Sequence, residues 1–294
     1  MFTTILTCDP ARPALDAPTV EALRDAWGGG DARWLARDVA AEFDMPVSRD
    51  PAEARAGLDA MGIDVNVVPA AGRRKRLLLA DMDSTMIEQE CIDELAAEAG
   101  VGDRVAAITA RAMNGEIGFE GALRERVGLL AGLDVAVIDR VLAQRITPMA
   151  GGRELVATMR ANGAHAALVS GGFTAFTGAV AGWLGFDSHR ANTLLADGGR
   201  LTGAPGEPIL GRAAKVARLE ELCAELGIAP VDAIAVGDGA NDLGMLGRAG
   251  MGVALHAKPA VQAQADLVVN HGDLTALLYL QGYRGAEIIA PPPA

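Results

Sequence analysis

Apolar positions fall along this chain in two alternating arrangements, short unbroken runs and longer stretches at helical spacing, and their order predicts most of its elements. An apolar start at residues 2–6 is followed by a helical pattern over 19–27, a mixed stretch over 33–47, a second helical pattern over 51–61 and an apolar run over 65–68. Short strands alternating with helices predict a small α+β unit. Gly28-Gly29-Gly30 and Ala70-Ala71-Gly72-Arg73 read as breaks, and the second sets off residues 1–72 as a domain with a regulatory or dimerising role. Leu77-Leu78-Leu79-Ala80 then runs straight into Asp81-Met82-Asp83-Ser84-Thr85, a buried strand ending in a polar turn. From 87 to 147 the apolar residues recur only at helical spacing: Ile92, Leu95, Ala96 and Ala99, then Val105, Ile108 and Ala112, then Leu123, Val127 and Leu130. That run interrupts a strand and helix alternation, so 87–147 is predicted to be a helical cap inserted between core segments 73–86 and 148–294.

The alternation resumes with a helix over 152–161, a strand over 166–169 ending in Ser170-Gly171-Gly172, and a helix over 173–184. A hairpin over 190–201 should turn at Asp197-Gly198-Gly199. An amphipathic helix over 213–226 follows, with Val216, Leu219, Leu222 and Leu226 on one face. Then come a strand over 233–236, the loop Gly237-Asp238-Gly239-Ala240-Asn241-Asp242, a helix to 249, strands over 251–255 and 267–269 separated by a short helix, and a last helix from 274. Residues 291–294 should be a frayed tail. The fold class is therefore α/β: a doubly wound parallel sheet covered on both faces, with an inserted helical-bundle cap and a small N-terminal α+β domain.

Composition narrows the chemistry. Half of the 294 residues are apolar, enough for a sizeable core, and the formal charge of −12 excludes a general nucleic-acid surface. The basic run Arg73-Arg74-Lys75-Arg76 is short and isolated, and reads as a solvated linker. No stretch approaches about twenty uninterrupted apolar residues, so no membrane partner is expected, and the first residues lack a leader pattern, which makes cytoplasm the expected location. Cys8, Cys91 and Cys223 are far apart, without CxxC spacing, and should be free, mostly buried thiols.

Two carboxylates two residues apart at a strand tip, Asp81 and Asp83, crowd like charge unless a cation binds between them or one holds a proton. Ser170-Gly171-Gly172, where a strand gives way to a helix, offers a hydroxyl and backbone N–H groups as an anion cradle. Lys215 stands near the start of a helix, where a cation opposes the dipole, so capping does not explain it. Asp238 and Asp242, four apart with glycines between, suit Mg2+ better than an EF-hand type of Ca2+ loop, which needs more oxygens and a distal Glu. Each has an ordinary explanation by itself: an acidic turn, a helix cap, a solvated lysine.

Taken in order, Asp81-Met82-Asp83-Ser84-Thr85, Ser170-Gly171-Gly172, Lys215 and Gly237-Asp238-Gly239-Ala240-Asn241-Asp242 resemble the four motifs of the haloacid dehalogenase superfamily. The resemblance runs from about residue 77 to 283 and is closest to the branch that hydrolyses O-phospho-L-serine in the last step of L-serine biosynthesis. It implies Asp81 as nucleophile, Asp83 as acid and base, and Lys215 as a catalytic cation. It implies Mg2+ held by Asp81, by the Asp83 backbone carbonyl and by Asp238, with Asp242 or Asn241 orienting waters or substrate, and phosphoryl oxygens bound by Ser170 and Gly171. In the cap, Glu90 matches the residue that binds the substrate ammonium, Arg126 the one that binds its carboxylate, and Met113 and Phe119 the apolar residues that close over it. Residues 1–72 are similar to amino-acid-binding ACT modules, which leaves a homodimer open. Another small-molecule phosphatase or phosphotransferase of the superfamily is the alternative.

Overall fold

The computed structural model describes residues 1–113 and 116–291, save the side chain of Met113. The expectation for Met113 as a residue closing over substrate, and that of a frayed tail beyond Pro291, lie outside the described residues.

Six strands form one parallel sheet: β5 (Leu77–Ala80), β6 (His165–Phe173), β7 (Ser188–Asn192), β10 (Ala233–Gly237), β11 (Met251–Leu255) and β12 (Leu267–Val269). Their spatial order is β12-β11-β10-β5-β6-β7. Successive side chains of β5 point to opposite faces: Leu77 and Leu79 enter one apolar cluster, Leu78 and Ala80 another, and all four are buried. Helices α7 (Gly152–Ala161) and α8 (Thr174–Leu184) supply Leu155, Val156, Phe176 and Val180 to the cluster of Leu78, and α9 (Arg212–Leu226) and α10 (Leu243–Arg248) supply Leu219, Leu222, Met245 and Leu246 to that of Leu77. The chain leaves β5 towards β6 on one side and reaches β10 on the other. The order therefore reverses at β5 and β10, and the crevice beyond their carboxyl ends is where such sheets bind ligands. Asp81 follows β5 and Asp238 follows β10.

Two expectations change here. β6 does not stop at residue 169 but runs to Phe173, with a register shift after Val169, because it goes on pairing with β7. Ser170, Gly171 and Gly172 thus lie in extended chain, and α8 starts at Thr174 with Phe173 as its N-cap, directly after the tripeptide. The expected hairpin is also shifted along the chain: Arg190 belongs to β7, and β8 (Leu194–Asp197) pairs with β9 (Arg200–Pro205) around Gly198 and Gly199.

The cap comprises α3 (Cys91–Glu98), α4 (Gly102–Met113), α5 (Phe119–Gly128) and α6 (Ala136–Gln144). Leu95, Val105, Leu123, Val127, Val137 and Val141 form its buried interior. Its two linkers run side by side. Ile87 bridges Pro148, the Glu88 N–H donates to Thr147 O at 3.0 Å, and the Met149 N–H donates to Met86 O at 2.9 Å.

Residues 2–69 form β1 (Phe2–Cys8), α1 (Ala17–Trp27), β2 (Arg33–Ala36), β3 (Ala40–Met45), α2 (Ala52–Asp59) and β4 (Ile63–Pro69), an antiparallel sheet in the order β2-β3-β1-β4. This is the split β-α-β arrangement of ferredoxin-like units. Leu6, Phe43 and Val65 pack with Val20 of α1 and Leu58 of α2, whereas Ile5, Ala40 and Val68 join the large core cluster, so both faces of this sheet are covered. β4 also closes the open edge of β12 with side chains. Asn66 donates from Nδ2 to Val268 O at 2.8 Å and accepts at Oδ1 from the Val268 N–H at 2.9 Å. The Asp64 carboxylate accepts the N–H groups of Asn270, His271 and Gly272.

The basic run is only half a solvated linker: Arg74 and Arg76 are exposed, but Arg73 and Lys75 are not. Arg73 pairs with Glu42 at 2.7 Å and donates to the carbonyls of Tyr279 and Leu280, and Lys75 is buried with its Nζ on the carbonyls of Gly72 and Val231. These two cations satisfy backbone carbonyls of the last helix, of the linker and of the turn before β10, a use that composition does not reveal. The three cysteines are free and buried, as expected. Among the described residues no helix is long and apolar enough to cross a membrane.

Candidate active site

The switch point is built from strand ends. Asp81 is fixed by its N–H donating to Val236 O of β10 at 3.0 Å, and its Oδ1 accepts from the Met82 N–H at 2.8 Å. The Lys215 Nζ, from the first turn of α9, lies 2.6 Å from Asp81 Oδ1 and 2.6 Å from Asp242 Oδ1. All three side chains are buried. Asp242 Oδ2 accepts the Gly239 N–H, and Thr85 Oγ1 donates to Asp238 Oδ1 at 3.1 Å. Gly237 is required, because a Cβ there would come within 2.4 Å of Asp242 Cγ, and a Cβ at 239 would displace the Asn241 amide, whose Oδ1 would lie 2.2 Å away.

Asp81, Asp238 and Asp242 each offer an oxygen within 4.8 Å of the others. Burial, and then the Asp242 charge, push the Asp81 carboxyl far above the usual range, with Lys215 pulling the other way. Burial and Asp242 likewise push Asp238 up to about 6. For Lys215 burial acts to lower the pKa, but Asp81 and Asp242 outweigh it and the net shift is upward, so the ammonium stays charged. Three carboxylates against one ammonium leave an excess of negative charge in a site mostly closed to water. A divalent cation with oxygen ligands fits that excess and that donor set.

Asp83 stands apart from the three. Its Oδ1 accepts the Cys91 N–H at 2.9 Å and its Oδ2 the Ser170 hydroxyl at 3.1 Å, so its side chain faces the serine of the phosphate cradle and would leave only its backbone carbonyl for a metal. Ser170 Oγ in turn accepts the Gly172 N–H at 2.8 Å. A Cβ on Gly172 would lie 2.7 Å from Asp83 Oδ2, so this close approach needs glycine.

Above these groups lies a cavity of about 200 Å³ whose floor includes Asp81, Asp83, Ser170, Gly171, Asp238 and Asn241 and whose roof is the cap. The roof brings Glu90, Phe119 and Arg126 together with Ile92 and Leu123. Phe119 at the start of α5 sits against both Gly171 and Gly211, where an added Cβ would approach its ring to 3.2 and 3.3 Å. The Glu90 carboxylate accepts the Ser84 hydroxyl at 2.8 Å, and Ser84 holds the positive φ of 54° that this tight turn demands. Burial on its inner side, and then Asp83, push Glu90 up to about 7. Arg126 donates to Ala122 O at 3.3 Å and to Thr109 Oγ1 at 3.5 Å, and among the described residues no carboxylate lies within 4.0 Å of its guanidinium.

Every candidate side chain described thus lines this cavity or the charged cluster beneath it. Sequence reasoning missed Thr85 and Gly172, which lay inside quoted motifs without a role, and Ile92 and Leu123, whose helical spacing marked them only as cap interior.

The family model for haloacid dehalogenase-like hydrolase matches residues 78–247. A phosphoserine phosphatase of Streptomyces coelicolor is 46% identical over 234 residues, which cover 79% of this chain and 57% of that one, so the chain spans little more than half of that relative. The crystal structure of a HAD family hydrolase from Salmonella enterica serovar Typhi is 30% identical and similar with a TM-score of 0.84, over 95% of this chain and 98% of that one. A phosphoserine phosphatase solved as a phospho-aspartyl intermediate analogue is 40% identical with a TM-score of 0.66, over 70% of this chain and 98% of that one.

Proposed function

This chain belongs to the haloacid dehalogenase-like hydrolases, and from that premise we propose that it hydrolyses O-phospho-L-serine to L-serine and phosphate, with Mg2+ and through an aspartyl-phosphate on Asp81. The observation that carries the substrate is the roof of the cavity. A carboxylate, Glu90, and a guanidinium with no carboxylate within 4.0 Å among the described residues, Arg126, stand over a floor that includes Asp81, Asp83, Ser170 and Gly171. An ammonium and a carboxylate on one small phosphate ester complement that pair. The phosphoserine phosphatases among the relatives support the same reading.

The Asp81 carboxylate attacks phosphorus in line and takes the phosphoryl group. Lys215 holds its attacking oxygen in register and offsets charge, while Ser170 Oγ and the Gly171 N–H bind phosphoryl oxygens. Asp83 protonates the departing seryl oxygen and then takes a proton from the water that hydrolyses the intermediate. Asp81, the Asp83 carbonyl and Asp238 would hold Mg2+, with Asp242 and Asn241 orienting around it; when bound, it neutralises phosphoryl charge. The cap keeps other water out.

Mg2+-dependent phosphate release from L-phosphoserine, D-phosphoserine, phosphothreonine and a neutral phosphomonoester tests this. L-Phosphoserine should exceed the neutral ester by at least about 100-fold in kcat/KM, since a site left with unpaired charges rejects a ligand lacking their partners. Equal rates would remove the assignment of substrate and leave a general phosphatase or phosphotransferase.

A further inference from the structure

We propose that Asn192 is a positioning residue for the phosphate half of the site, tying the serine and lysine motifs together through one buried amide; this rests on the phosphatase reading above. Asn192 ends β7 and is only 2% exposed. Its Nδ2 donates to Gly171 O at 2.8 Å and to Leu210 O at 3.2 Å, and its Oδ1 accepts the Leu210 N–H at 2.7 Å. Nothing in the reaction requires Asn192 to touch substrate, and it does not line the cavity.

Both ends of this bridge matter to the phosphoryl group. In a trans peptide the C=O and the following N–H lie in one plane and point in opposite directions across the C–N bond. Holding the Gly171 carbonyl therefore turns the Gly172 N–H the other way, onto Ser170 Oγ, whose own proton goes to Asp83 Oδ2. At the other end Leu210 precedes Gly211, the N-cap of α9, and the first turn of that helix delivers Lys215 to Asp81. One side chain thus sets how far the hydroxyl and the ammonium stand apart. A buried amide is suited to this, since leaving its backbone partners unmet is costly and the geometry is correspondingly stiff.

The experiment compares wild type with Asn192→Ala and Asn192→Asp. The aspartate keeps the size and the acceptor for the Leu210 N–H, but faces the Gly171 carbonyl with an oxygen instead of a donor. Inorganic phosphate and L-serine are each titrated by calorimetry in the presence of Mg2+, and kcat and KM are measured for L-phosphoserine. Both variants should lose at least about tenfold in phosphate affinity and in kcat, as expected for a sub-ångström misplacement of binding groups. L-Serine affinity, which depends on the cap, should stay within about twofold. Parallel loss of both affinities, or loss of neither, would overturn the proposal, and so would failure of both variants to fold, which would make the amide structural first. Phosphate binding is read without reference to turnover. If wild type fails to hydrolyse L-phosphoserine yet binds phosphate, and Asn192→Asp weakens that binding, the substrate assignment falls and the positioning role stands.

Discussion

Glu90 shows how much one side chain's surroundings decide. In the sequence it is an acid just past an aspartate motif, on what could be a solvated helix face. In the structure Glu90 keeps part of its surface in solvent, while burial of its inner side and the neighbouring Asp83 hold its pKa up to about 7 and the Ser84 hydroxyl pulls the other way. The sign follows directly: the carboxylate that would meet a substrate ammonium is present above about pH 7 and is lost as pH falls through it. The pH dependence of kcat/KM reports the free enzyme. We expect kcat/KM for L-phosphoserine to climb between pH 6 and 8, and Glu90→Gln to raise KM and to flatten that part of the climb. A variant whose profile and KM overlay the wild type would show that Glu90 does not meet the ammonium. Lys215 illustrates the opposite limit of legibility. A lone lysine in the first turn of a helix is ordinarily a surface residue, and only its position between two buried carboxylates, each at 2.6 Å, reveals its use.

At the scale of elements, what was legible was what is buried on both faces. The strands over 77–80, 251–255 and 267–269 are unbroken apolar runs because helices cover both sides of a parallel sheet, and they appear where the pattern puts them. β7 escaped because it lies at the sheet's edge and reads Ser-His-Arg-Ala-Asn, with only Ala191 and Asn192 buried. The extension of β6 escaped with it, since it depends on pairing with β7. Asn192 was invisible for a related reason, because an amide that bonds backbone leaves no spacing signal. The other edge of the sheet is closed by Asn66, likewise unread. Replacing Asn66 by Ala leaves the Val268 N–H and C=O without partners and should cost roughly 1–3 kcal/mol in urea unfolding. The Val268 amide should exchange faster with deuterium while kcat changes less than about threefold, because the clip lies outside the cavity. Unchanged exchange at Val268 would show that the clip contributes nothing.

Across the whole molecule, the four motifs that resemble one superfamily are spread over residues 81 to 242 and meet at a single reversal of strand order. The sheet delivers Asp81 and Asp238 on neighbouring strands, α9 delivers Lys215 from below, and the inserted cap closes the polar floor with Glu90, Phe119 and Arg126. The N-terminal ferredoxin-like unit takes no part in that cavity. Its sheet is covered on both faces and its β4 is fastened to β12. The nucleophile is the claim on which the whole account turns. The direct measurement is to quench the enzyme with acid during turnover of L-phosphoserine, reduce any acyl phosphate with borohydride and locate the product by peptide mass spectrometry. The account predicts that reduction marks residue 81 alone and that Asp81→Asn shows neither the mark nor turnover. A mark on another residue, or appreciable turnover by Asp81→Asn, would contradict it.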